Sequence, residues 1–103
     1  MVHLLVLYPQ PANVEQFEKD YVKHLELLHD KTGISTTEIP YTVTKFLPLP
    51  AGTPAFHQMF TLPFDTQEAL EAAISSPGMQ EAVADANRIS TGGAPTILIG
   101  NVG

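Results

Sequence analysis

Tyr21 and His24 stand three residues apart on a segment whose apolar positions, 14, 17, 21, 25 and 28, repeat at helical spacing. A phenol and an imidazole one turn apart can orient a carbonyl or hydroxyl group and move a proton, and imidazole titrates near neutral pH. His24 falls at the margin of the apolar stripe. Two roles are open to it: general acid or base toward a ligand, or a structural ring bonded to a carbonyl or to Asp30. Tyr21 carries the same choice between serving a ligand and sitting in the core with its hydroxyl at the rim. His57 belongs elsewhere, because the strand that carries it starts beside the end of the first strand, whereas His24 lies well down the returning helix. His3 and His29 have no partners at a metal-ligand spacing, so no metal is expected. Asp85 and Arg88, at i and i+3, read as a solvated helix pair of little energetic weight.

The chain has 103 residues, 44% hydrophobic and 16% charged, which fits one globular domain over residues 1–103. A net charge of −6 with only five basic residues argues against a nucleic-acid partner. No apolar run approaches the roughly 20 residues that span a bilayer, and "HLLVLY" is too short for a signal peptide and lacks a cleavage site. A cytoplasmic protein with no membrane partner is the default. The absence of cysteine excludes disulfides, thiolate nucleophiles and cysteine-ligated metals. "TGGAP" lacks the lysine and the following helix of a phosphate loop, and no flavin fingerprint is present, so no cofactor is expected.

Met1 to Tyr8 reads as a strand stopped by Pro9 and Pro11. Asn13, with Gln16 three residues on, reads as a capping box that opens a helix from Val14 to about His29. Gly33 sits where the chain must turn. Thr36 to Leu47, rich in threonine and valine, reads as a strand, with Pro40 marking an edge position or a bulge. "LPLPAGTP" is a loop, and "AFHQMFTLPF" is a strand with Phe56, Phe60, Leu62 and Phe64 on one face. Asp65 with Glu68 opens the next helix. Ser76-Pro77 opens another, with Met79, Ala82, Val83, Ala86 and Ile89 as its apolar positions and Gly92-Gly93 as its end. "APTILIG" is the last strand.

This order is β-α-β-β-α-β, the split βαβ of an α+β ferredoxin-like fold with a four-stranded antiparallel sheet. Its helices can cover only one sheet face. "HLLVLY" and "TILIG" are apolar at both parities, so a second copy related by a two-fold axis is expected to cover the other face, giving a homodimer.

"LLVLYPQPAN", the following Phe17, Tyr21 and His24, and "SSPGMQEAVADANRISTGG" together resemble the EthD family of the dimeric α+β barrel superfamily, named for a member linked to ethyl tert-butyl ether breakdown. The resemblance spans nearly the whole chain. It implies that Tyr21 and His24 face a cavity between helices and sheet, as candidate catalytic residues. The family follows its histidine with a proline-containing turn, whereas this chain has "HLELLHDKTG", so the helix should run on unbroken. The superfamily includes cofactor-independent monooxygenases, isomerases and dehydratases. The implied role is binding of a small hydrophobic or aromatic organic molecule, with proton transfer or oxygenation as the chemistry if the protein is an enzyme; a non-catalytic accessory protein and a scaffold without a pocket are the alternatives. The candidate ligand contacts are Phe17 and Leu28 on the first helix, Phe56 and Phe60 on the third strand, and Met79 and Val83 on the last helix.

Overall fold

A computed structural model, covering residues 1–103, has the order β1 (Val2–Pro9), α1 (Val14–Thr32), β2 (Thr42–Lys45), β3 (Phe56–Phe64), α2 (Gln67–Ile74), α3 (Pro77–Ile89) and β4 (Thr96–Asn101). All strand pairs are antiparallel, in the sheet order β2-β3-β1-β4. This is the expected α+β ferredoxin-like arrangement. No helix is long and apolar enough to cross a membrane.

Strand alternation builds the core. Leu4, Val6 and Tyr8 of β1 are buried, and they stand opposite Leu62, Phe60 and Gln58 of β3 in register. Against this face lie Phe17, Tyr21, His24 and Leu28 of α1, Leu70 of α2, and Met79, Ala82, Ala86 and Ile89 of α3. The other face presents Leu5, Leu7, Met59 and Leu98, and no helix covers it. β4 is an edge strand, so Ile97 and Ile99 stay about half exposed even on the helix side.

Local chemistry moves several boundaries. The Asn13 side chain accepts from the Gln16 N–H at 3.0 Å, but the Gln16 side chain donates to Asp20 and does not accept from the Asn13 N–H, so only half of the capping box forms. Helix α1 runs to Thr32, past the expected His29, because nothing stops it before Gly33, which adopts φ 74° and returns its N–H to the His29 carbonyl. β2 is shorter than the expected Thr36–Leu47. The Ser35 hydroxyl accepts from Thr37 and Glu38 N–H and holds that stretch in a turn, and Pro40 has no N–H to give a ladder. Thr66, not Asp65, caps α2, accepting from Ala69 N–H at 3.1 Å. Ser76 caps α3 as expected, with Pro77 at the first helical position, and α3 ends at Ile89, ahead of the Gly92-Gly93 pair.

The α1–α3 crossing is close at Gly78, where an added Cβ would fall on the Lys31 backbone carbonyl. On an open helix Gly→Ala is worth up to about 1 kcal/mol of stabilisation. Here the sign should reverse. Gly78→Ala is expected to destabilise by about 1–3 kcal/mol, as overpacking against backbone does, read as a lower urea midpoint with an unchanged m-value. A midpoint at or above wild type would show that the two helices can part at no cost.

Candidate functional site

The register set by the Asn13 cap places residues 17, 21, 24 and 28 on the buried side of α1. His24 is therefore central in the stripe, not at its margin; Leu25 is half-buried and Val14 is 47% exposed. Its partner is neither a backbone carbonyl nor Asp30. His24 Nδ1 lies 2.9 Å from Oδ2 of Asp85 on α3, and Arg88 Nε donates to the other Asp85 oxygen at 2.8 Å. The Asp85–Arg88 pair thus differs from the solvated pair expected. The Asp85 side chain is only 13% exposed, and it spans a buried imidazole and a surface guanidinium.

An ionised carboxylate can only accept, so Nδ1 carries the ring proton and Nε2 of the neutral ring carries the lone pair. Burial pulls the His24 pKa below its ordinary value of 6.5, opposed by the hydrogen bond and charge of Asp85. Burial also works to raise Asp85, but the His24 and Arg88 hydrogen bonds and the Arg88 charge outweigh it and hold the carboxyl below the usual range. At neutral pH the pair is a neutral imidazole on an ionised carboxylate. That is the arrangement in which a fixed histidine can take a proton at Nε2.

His24 lines a cavity of about 30 Å3 between α1, α3 and the sheet, enough for about two waters. Ten of its eleven lining residues are hydrophobic, so His24 is its polar feature apart from the phenol of Tyr8. Of the expected ligand contacts, Leu28, Phe60, Met79 and Val83 line it with His24. Tyr21, Phe17 and Phe56 do not. Tyr21 stacks on Phe17 at 5.7 Å between ring centroids and meets Tyr8 edge-on at 5.6 Å, closing that end of the core with aromatic rings. Its ring still touches that of His24 at 5.6 Å. The Tyr21 hydroxyl is buried beside the Gln58 amide, near enough for that amide to favour the phenolate, yet the two groups are not in hydrogen-bond geometry. Burial outweighs that influence and drives the Tyr21 pKa far up, so the phenol stays protonated.

Two functional candidates escaped the sequence reading. Asp85 flanks the buried positions Ala82, Ala86 and Ile89 on α3, and that adjacency was the available signal. Tyr8 shares the helix-side parity of Leu4 and Val6. Its pKa is pushed far up by burial and then by the Asp85 charge, so its phenol sits in the field of the carboxylate that holds His24.

His57 and His29 are held in contacts away from the cavity. His57 Nε2 lies 2.8 Å from Glu18 Oε1, which Lys45 also contacts, so this group ties the start of α1 to β2 and β3, away from the His24–Asp85 pair. His29 Nδ1 donates to the Ile34 carbonyl at 2.8 Å, and its Nε2 pairs with the Tyr41 hydroxyl at 2.7 Å. No three His, Cys, Asp or Glu side chains converge as a metal cluster.

No protein-family model and no curated protein matches the sequence. Solved structures do. An EthD family protein from Bacillus halodurans C-125 matches with 27% identity, a TM-score of 0.83, and coverage of 99% of this chain and 98% of its own. An EthD-like protein from Ralstonia eutropha JMP134 matches with 23% identity, a TM-score of 0.65, and coverage of 97% and 89%. A dimeric ferredoxin-like protein of unknown function from Jannaschia sp. CCS1 matches in fold, with 12% identity, a TM-score of 0.71, and coverage of 99% and 100%. The chain is thus similar over its full length to the EthD family, in the order of its elements and in the way they fold.

Proposed function

We propose that this chain forms a homodimer in which each subunit binds a small hydrophobic or aromatic carbonyl compound between helices and sheet, with His24 as a cofactor-independent base. The observation that carries the reading is the Nδ1–Asp85 bond of a buried ring that lines an apolar cavity. The step is proton transfer next to a carbonyl. His24 Nε2 takes the proton from the carbon beside the carbonyl, the electron pair of that C–H bond forms the C=C bond of an enolate, and the π pair of the carbonyl moves onto its oxygen. The resulting imidazolium pairs with Asp85 across the existing bond. Tyr8, a protonated phenol on the same cavity wall, can donate a hydrogen bond to the developing oxyanion. Return of a proton to carbon completes the cycle, so deuterium exchange from heavy water reports the step without knowledge of the natural substrate.

Wild type is expected to accelerate deuterium exchange into ketones above buffer. His24→Gln should lose about 10²–10⁴-fold, the usual worth of a positioned acid or base, and Asp85→Asn should lose part of that by freeing the ring to turn over. The burial that lowers the His24 pKa places the acid limb of the rate profile below pH 6.5. Asp85→Asn removes the partner that favours the charged ring, so its limb should shift further toward acid. An acid limb above 6.5 would contradict the burial argument.

The small size of the cavity favours one competing reading, in which the His24–Asp85 bond only pins α1 to α3. The two readings part cleanly. A structural pin predicts that His24→Gln exchanges ketones as wild type does while its melting temperature falls.

Homodimerisation is supported by the uncovered face around Leu5, Leu7, Met59 and Leu98, with threonines 42, 44, 61 and 96 on the same side. Sedimentation at micromolar concentration should give a dimer for wild type and a monomer for Leu98→Glu, whose carboxylate would have to be buried in the joint face. A wild-type monomer would end the dimer proposal.

A further inference from the structure

A second, larger cavity of about 430 Å3 lies between the C-terminal end of α1, the C-terminal end of β3 and the α2–α3 junction. Small-molecule sites usually measure about 300–1,000 Å3, so this cleft can hold an organic ring and the His24 cavity alone cannot. Met79 is the one residue that lines both spaces. Their other walls run on from one another: Leu28 is one turn before Thr32 on α1, and Phe60 is two residues before Leu62 on the same face of β3. The two spaces lie end to end along one seam, and the buried Met79 side chain stands between them.

The backbone around this partition is fixed. Gly78 is pressed against the Lys31 carbonyl, and the Met79 N–H is held at 3.2 Å by the Ser76 hydroxyl. The part free to move is the Met79 side chain itself, unbranched and with three rotatable bonds. Turning it toward α2 would merge the cleft with the cavity at His24.

We infer that the cleft binds the body of the ligand and that Met79 is the gate through which the ligand's small reactive end reaches His24. This rests on the reading of His24 as a base. The lining also defines the ligand. No Asp, Glu, Lys or Arg lines either space. The hydroxyls of the cleft are already committed to backbone: Thr32 donates to the Leu28 carbonyl, and Ser76 donates to the Ala73 carbonyl at 2.7 Å. The body is therefore an uncharged aryl or alkyl group packed against Ile34, Leu62 and Phe64. Beyond the gate there is room for little more than an acetyl group. The ligand class is an uncharged methyl ketone with an apolar tail.

The probes are 4-phenyl-2-butanone, which has such a tail, and acetone, which has none. Deuterium exchange into each is followed by NMR, and binding of the phenyl ring by saturation transfer. Wild type should prefer the phenyl ketone. Ala73→Phe narrows the cleft and should cut the ratio of phenylbutanone to acetone exchange by about tenfold or more, together with the ring saturation signal. Met79→Ile keeps a similar volume on a stiff β-branched side chain; it should retain ring saturation while phenylbutanone exchange falls about tenfold, a split that loss of folding would not produce. Ring saturation undiminished by Ala73→Phe would overturn the cleft assignment, and wild-type exchange in Met79→Ile would overturn the gate. If wild type exchanges neither ketone but still shows ring saturation sensitive to Ala73→Phe, the base reading fails and the cleft assignment stands.

Discussion

The hydrogen bond between His24 and Asp85 joins the two long helices, from the buried stripe of α1 to the partly exposed flank of α3. A buried imidazole without a partner costs about 1–3 kcal/mol, and α1 places one at the centre of its inward stripe. The fold is consistent with that sequence because α3 brings a carboxylate to Nδ1 and Arg88 neutralises the carboxylate from solvent. The bond also fixes the orientation of the ring, and with it the side of the ring that faces apolar space.

The core has two unlike ends. Toward the start of α1, Tyr8, Phe17 and Tyr21 interlock with ring centroids 5.4–5.7 Å apart, and of the three only Tyr8 borders the cavity. Toward its end, α3 contributes Ala82 and Ala86, whose side chains are too short to fill the distance to β1 and β3. Gly78 draws α3 onto α1 without adding volume toward the sheet. The cavity lies beside His24, where small residues face the sheet, and not beside the hydroxyl of Tyr21. An aromatic clamp at one end and small residues at the other hold the helices at a spacing that neither end would set alone.

Most of the architecture was legible in residue patterns. The order of elements along the chain follows from strand composition, helix caps and turn residues, and Ser76-Pro77 marks the break between α2 and α3 correctly. The failures have physical causes. Thr36–Leu47 has strand-forming residues, but the side chain of Ser35 and the missing N–H of Pro40 compete locally with the ladder, which propensity does not register. His24 looks marginal in the sequence because Leu25, being apolar, competes with it for a place in the stripe. Its partner lies 61 positions away, and no spacing rule on a single helix reaches across a tertiary contact. The sequence marks Tyr8 as a strand end and Asp85 as surface charge, each correct for its own element and incomplete for the pair of elements that meet there.

The electrostatics of the pair determine what it can do. Without Arg88 the carboxylate's field on the ring would be stronger, pulling the ring toward imidazolium and against the lone pair that Nε2 offers. Were Asp85 absent, burial would act unopposed and disfavour the imidazolium formed when the ring takes a proton. The structure lies between these limits. Arg88 draws off part of the carboxylate's field, burial keeps the resting ring neutral, and the Nδ1 bond remains to stabilise charge once a proton arrives. A base that is neutral at rest and supported when charged needs such a divided environment, in which burial has the largest share and the surface guanidinium adds to it.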